Sequence, residues 1–306
     1  MSRPDSVAIP GTPARSHAAA DFAPPAATTD TAPTAPSATS TVRADVRVAA
    51  STRRARTLAL TSGKGGVGKT FLAANLAAVL AQRGERVLVL DADLGLANLD
   101  VVLNLQPKIT LHEVFTGKAA LEDAILPAPG GFSVLLAGSG LVEYSRLTPE
   151  LREQLLHIIE TLAPRFDRIL IDTGAGISDV VLYAVSLADA VLVIATPEPT
   201  SMTDAYAAIK VLATQQARRE IGLVVNEVGR VGEGRVIAGQ LQLVVERFVV
   251  PLLAPGGRAL TLELFGEVPL DPAVREAVQK RALLVDLLPG SAAARAVHAI
   301  AAKLAP

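Results

Sequence analysis

The stretch "TLALTSGKGGVGKTFLAANLA", residues 57–77, passes from a β-rich run through a glycine-rich loop into residues at helical spacing. Gly63, four residues, then Gly68, Lys69 and Thr70 make a complete phosphate-binding loop, and a strand before it with a helix after it is the context such a loop needs. Glycines let backbone N–H groups converge on phosphate oxygens, and the helix N-terminus adds partial positive charge. Lys69 has the reach for the terminal phosphates, and the Thr70 hydroxyl can ligate Mg²⁺. Leu72, Leu76, Val79 and Leu80 recur at helical spacing and Gly84 supplies a stop. The same loop holds a second lysine, Lys64, that a phosphate cradle does not require. By its chemistry alone, Lys64 reads equally well as a solvent-facing charge that raises the local potential.

Short β-rich runs alternate with helical patterns from Thr57 onward, which predicts an α/β fold: a mostly parallel twisted sheet with helices on both faces. The strand candidates are "TLALTS", "RVLVLDA", "FSVLLAG", "RILIDT", "AVLVIAT", "GLVVNEV" and "LFGEVP". Thr148 and Pro149 suit a helix start, and Leu151, Leu155, Ile158, Ile159 and Leu162 give that helix one apolar face. Ligands of such sheets bind beyond the carboxyl ends of the strands, so the residues just after each strand are the candidates for chemistry. "VLVLDADLGLANLD" ends a strand in Asp91, Ala92, Asp93, two carboxylates that can hold Mg²⁺ through water or position an attacking water. "RILIDTGAGI" places Asp172 at a third strand end, where it suits the hydration shell of Mg²⁺, with Gly176 leaving the following loop free to move.

Composition narrows the class. The 306 residues are 50 % hydrophobic with a net charge of -1 and no cysteine. That removes disulfides, zinc-cysteine sites and cysteine-ligated iron-sulfur clusters, and it fits a reducing, cytoplasmic setting. Near-neutral charge gives no support for direct nucleic-acid binding. No run reaches the roughly 18 apolar residues of a membrane-spanning helix, and Asp189 breaks "VLYAVSLADAVLVIA". The histidines are scattered without metal-ligand spacing. Residues 1–52, rich in Ala, Pro, Ser and Thr, hold seven of the 20 prolines and read as a disordered tail before one domain, 53–306. Arg53, Arg54 and Arg56 form a small basic cluster at that boundary, a solvated edge by the usual reading.

"KGGVGKT" resembles the deviant Walker A loop of the MinD and ParA group of P-loop ATPases. The resemblance runs from about Thr57 to the C-terminus. It implies ATP and Mg²⁺ as cofactors, with Gly63, Lys64, Gly65, Gly66, Val67, Gly68, Lys69, Thr70 and Phe71 around the nucleotide. Lys64 matches the lysine that crosses a homodimer to the partner's ATP, which would couple ATP-bound dimerisation to hydrolysis in the manner of an arginine finger. Lys64, Lys69 and the water-orienting Asp93 form the implied catalytic set, and Thr70, Asp91 and Asp172 the implied metal set. Asn226 lies where the group's adenine-contacting asparagine stands, and its amide can read both a donor and an acceptor. Pro269 and Asp271, in "VPLDPAVREA", match a later nucleotide-side loop and read equally well as ordinary turn residues. Nothing in these residues excludes GTP.

"GLANLD", "GAGISD" and "EPTSMTDAYAAIK" are closer to the flagellar-number regulators called FlhG or FleN than to MinD. That implies a cytoplasmic or polar ATPase switch restraining flagellar number or placement, acting on an FlhF-like GTPase, a FleQ-like transcription regulator or flagellar switch proteins. The rival readings are a MinD- or ParA-like positioning ATPase, and a nucleotide-gated binding module that does not hydrolyse. The tail lacks the Gln-rich activating motif of some relatives. The last helical segment is amphipathic, with Val297, Ile300 and Leu304 opposite Arg295, His298 and Lys303. It reads as the helix that closes the fold more readily than as a membrane anchor, for it lacks bulky and aromatic residues.

Overall fold

The computed structural model describes residues 54–95, 97–138, 144, 146–254, 256 and 258–304, so the segment read as a tail lies outside the described residues. Strands β1 (Arg56–Ser62), β2 (Val87–Ala92), β3 (Ile125–Pro127), β4 (Ser133–Leu135), β5 (Arg168–Ala175), β6 (Ala190–Ala195), β7 (Glu220–Val228) and β8 (Thr261–Pro269) form one sheet. Its order is β3-β4-β2-β5-β1-β6-β7-β8. All neighbours are parallel except β3, which pairs antiparallel with β4 at the edge. Seven strands are those expected; β3 is additional. Its three residues have no alternating pattern long enough to mark a strand, and only pairing with β4 defines it.

The helices are α1 (Lys69–Gln82), α2 (Leu99–Leu103), α3 (Leu111–Phe115), α4 (Pro149–Leu162), α5 (Asp179–Ser186), α6 (Pro199–Gln215), α7 (Glu233–Phe248), α8 (Pro272–Gln279), α9 (Leu284–Leu287) and α10 (Ala292–Leu304). Successive strand residues point to opposite faces, so two cores result. Ala59, Leu88, Leu90, Ile169 and Ile171 pack with α4, α5, α6 and α7. Leu58, Leu60, Val87, Val89 and Leu170 pack with α1, α9 and α10 on the other side. A sheet buried on both faces explains why its strands read as continuous apolar runs.

Polar groups lock this register. Asp189, which interrupts the apolar run before β6, accepts from Thr57 N at 2.9 Å and Thr57 Oγ1 at 2.8 Å, tying the start of β6 to β1. Buried Asn75 on α1 donates to Phe71 O and accepts from Val285 N, so it joins α1 to α9 without leaving an unmet amide. The expected apolar face of α4 is buried and Thr148 caps its first turn through Leu151 N. Val297, Ile300 and Leu304 of α10 are buried against α1 and β8, which makes α10 the closing helix of the fold. Among the described residues no helix is long and apolar enough to cross a membrane.

Candidate nucleotide site

β1 delivers the chain to the upper edge of the sheet at Ser62, and α1 leaves from Lys69, so residues 63–68 form the turn between them. Two glycines are required by their surroundings. A Cβ on Gly63 would lie 2.0 Å from the Asp204 carbonyl oxygen of α6. Gly68, the residue before α1, has φ +89° and a Cβ there would lie 2.5 Å from Asn226 Nδ2. The loop borders a cavity of about 680 Å³ lined by Gly65, Gly66, Gly68, Lys69, Thr70, Phe71, Asp93, Asn98, Tyr144, Gly174 and Ser178, among others. Its size is that of a small-molecule site, and it opens on the N-terminus of α1, where backbone N–H groups lack helical partners.

Beneath the cavity lie the acidic residues. Asp91 on β2 stands opposite Asp172 on β5 in the strand register, and both are about 1 % exposed. Burial pushes the Asp172 carboxyl up to about 6, opposed by a hydrogen bond from Thr70 and the charge of Lys69. Asp91 is raised well above the ordinary carboxylate range, first by burial and then by the Asp172 charge beside it, although its Oδ1 accepts from Asp93 N at 3.1 Å. Lys69 is held below its ordinary value by burial, with Asp172 and Asp93 pulling the other way. Asp91 Oδ2 and Asp172 Oδ1 are buried with no hydrogen-bond partner. Such orphaned carboxylate oxygens beside a threonine hydroxyl are a donor set for a hard cation such as Mg²⁺, which keeps several waters. No cluster of three or more His, Asp or Glu with metal-binding geometry occurs among the described residues, so a cation here would draw further oxygens from water or phosphate.

The structure brings Gly65, Gly66, Gly68, Lys69, Thr70, Phe71 and Asp93 to the cavity, with Asp91 and Asp172 under its floor. Val67 is buried and offers its carbonyl to Asn226 Nδ2 at 2.9 Å. Asn226 is therefore tied to the loop, with its amide oxygen as the remaining acceptor. Pro269 ends β8, and Asp271 caps α8: its Oδ1 accepts from Ala273 N at 2.9 Å and its Oδ2 from Ala293 N at 3.1 Å. Neither Pro269 nor Asp271 lines the phosphate cavity.

Lys64 points away from the cavity. Its Nζ lies 2.5 Å from Glu198 Oε2 and 3.1 Å from Thr200 Oγ1, at the start of α6. The sequence does not mark these two partners, although they stand inside "EPTSMTDAYAAIK", because pairing across 134 residues has no local signature. Nor does it mark Tyr144, whose hydroxyl is 3.0 Å from His112 Nδ1, or Ser178, which caps α5 at the cavity wall.

The ParA family model, described as NUBPL iron-transfer P-loop NTPase, matches residues 53–305. The chain belongs to the ParA family of P-loop NTPases. Within it the chain groups with the FleN type: it is 40 % identical over 247 residues to the antiactivator FleN of Pseudomonas aeruginosa, covering 81 % of this chain and 85 % of that one. The flagellum site-determining protein YlxH of Helicobacter pylori is 31 % identical over 249 residues, 81 % of each chain. Among solved structures, the septum site-determining protein MinD of Pyrococcus horikoshii complexed with Mg-ADP superposes with a TM-score of 0.66. It is 28 % identical, over 82 % of this chain and 96 % of that one.

Proposed function

We propose that this chain is a cytoplasmic ATPase switch that restrains flagellar number or placement, dimeric with ATP and released by hydrolysis. The observation that carries the reading is the division of labour between the two lysines. Lys69 is buried at the phosphate cavity, whereas Lys64 is held outside it on Glu198 and Thr200. A cation of the phosphate loop that does not serve its own cavity is available to a second subunit's.

In this reading the loop amides and Lys69 hold the phosphates of ATP and keep the γ-phosphate over the Asp91 and Asp172 floor. Thr70 and Asp172, with Asp91 behind them, would hold Mg²⁺, which would supply neutralisation of the phosphate charge. Asp93 accepts a hydrogen bond from the attacking water and orients it in line with the bond that breaks, γ-phosphorus to the β–γ bridging oxygen. Lys64 of one subunit adds positive charge at the other's γ-phosphate, so turnover depends on dimerisation. Asn226 contacts the base through its amide oxygen, and Pro269 borders it.

The likeness to FleN and YlxH supports the flagellar assignment, with an FlhF-like GTPase, a FleQ-like regulator or flagellar switch proteins as the partners. The deciding experiment is the mass in solution of the wild type and Lys64→Ala, each with ADP and with a non-hydrolysable ATP analogue. A dimer only for wild type with the analogue is expected. A Lys64→Ala variant that dimerises as the wild type does would remove Lys64 from the switch, and no dimer for either protein would leave a monomeric nucleotide-binding protein.

A further inference from the structure

The edge of the sheet opposite the phosphate loop carries two features that the nucleotide reading leaves unused. The first is an arginine row. The parallel strands all begin at this edge, with Arg56 of β1 directly beside Arg168 of β5 in the register. Arg54, Arg56, Arg83 and Arg168 surround a cavity of about 240 Å³ together with Glu85 and Asp167. Those two carboxylates are taken by Arg168 and Arg86. The guanidinium groups of Arg54 and Arg56 make no ion pair or hydrogen bond with a described residue. Further along, Arg218 and Arg219 precede β7 and spend their hydrogen bonds on carbonyls, and Arg258 precedes β8 with a solvent-exposed contact to Glu220. Arg54, Arg56, Arg83, Arg86, Arg168, Arg218, Arg219 and Arg258 thus stand on this edge against Glu85, Asp167, Asp189 and Glu220.

The second feature is an apolar tip at the β8 end of that edge. α7 runs down to Phe248 and a short 3-10 turn, Val250–Leu252, follows. Phe248, Val250 and Leu252 are 52 %, 40 % and 58 % exposed. Their exposure is built in, because the neighbouring Val249 and Leu260 are buried and Gln242 of α7 bonds Leu260 O and Leu262 N, which fixes those two residues against α7. Arg247 lies over the Phe248 ring, 5.3 Å from its centroid. The tip's own carboxylate, Glu246, is bonded by Gln242.

We propose that this edge docks on an anionic lipid surface, the Phe248, Val250 and Leu252 tip entering the interface while the arginines meet the headgroup phosphates. A bilayer rewards both features at once: apolar side chains bury at the headgroup boundary, and each basic residue near the surface adds attraction. A nucleic-acid backbone would meet the arginines and leave the tip in water. α10 cannot take this role, since its apolar face is already in the core. The inference does not rest on the nucleotide reading.

The test is co-sedimentation of the full chain with vesicles of phosphatidylglycerol and phosphatidylcholine in equal parts, and with pure phosphatidylcholine. Wild type binds the anionic vesicles only, and less at high salt. Arg54→Glu, Arg56→Glu and Arg258→Glu combined weaken binding on the order of 100-fold. Phe248→Asp with Leu252→Asp abolishes it, whereas Phe248→Trp retains it. Circular dichroism melting of each variant establishes that it is folded, and Phe248→Ser replaces the double variant if that one is not. Unchanged vesicle binding by the folded variants overturns the proposal. So does a wild type that ignores vesicles, whether or not it binds duplex DNA or an acidic protein.

Discussion

Lys64 of the phosphate loop and Glu198 at the start of α6, 134 residues apart, form an ion pair of 2.5 Å within one chain. The pair is open to solvent, with side chains 36 % and 61 % exposed. An exposed pair of this kind contributes about 0–1 kcal/mol, so Lys64 can leave Glu198 for another anion at small cost. Lys64→Ala should therefore melt within about 2 °C of the wild type, because so small a loss shifts a domain of this size only slightly. It should still bind ATP, yet fail to hydrolyse it. Calorimetry and phosphate release check both halves, and wild-type turnover would remove Lys64 from the mechanism.

Lys69 behaves differently because it is buried between Asp172 and Asp93. Lys69→Ala removes a charge-assisted contact to phosphate, and nucleotide affinity should fall on the order of 100-fold. Titration calorimetry with ADP reads this directly. An affinity within threefold of wild type would assign the phosphate contact elsewhere.

Asp93 lines the cavity without being sealed beneath it as Asp91 and Asp172 are. If it orients the water, Asp93→Ala should lower turnover by about 10²- to 10⁴-fold while leaving ATP bound. The variant should then accumulate as an ATP-bound dimer in size-exclusion chromatography. Unchanged turnover would eliminate it as the water-orienting group.

At Gly68 the positive φ and the nearby Asn226 amide leave no room for a side chain. Gly68→Ala should destabilise the fold by about 1–3 kcal/mol through strain and a displaced Asn226. The urea midpoint of the nucleotide-free protein measures this cost. An unaltered midpoint would mean that Asn226 can swing off Val67 O freely.

Asp271 accepts from backbone N–H groups at the starts of both α8 and α10, and these bonds, that to Ala293 first, hold its carboxyl below the ordinary range. A carboxylate with a lowered folded value stabilises the protein above its unfolded pKa of about 3.9, and that contribution is lost as pH falls through the lower folded value. Asp271→Ala should cost about 1 kcal/mol at pH 7, as for an N-cap, and the difference should vanish in strong acid. Unfolding midpoints at pH 7 and pH 3 test the slope. A loss of ADP affinity larger than the loss of stability would return Asp271 to the nucleotide site.

The elements and the loop chemistry are written in local stretches of the chain. Residues 57–77 specify strand, phosphate cradle and helix by spacing within one contiguous stretch, and such local patterns need no knowledge of the rest of the chain. Gly84 as the stop of α1, Thr148 as the cap of α4 and the buried face of α10 were legible for the same reason. What stands beside what depends on the packing of the whole chain. The order β2-β5-β1 sets Asp91 against Asp172 and raises both carboxyls by shared burial, although 81 residues of sequence separate them. The same packing turns Lys64 toward Glu198, commits both oxygens of Asp271 to helix ends and makes a strand of Ile125–Pro127. Each of these depends on which strands and helices become neighbours, and that follows from burying two apolar faces at once, which no short window of residues contains.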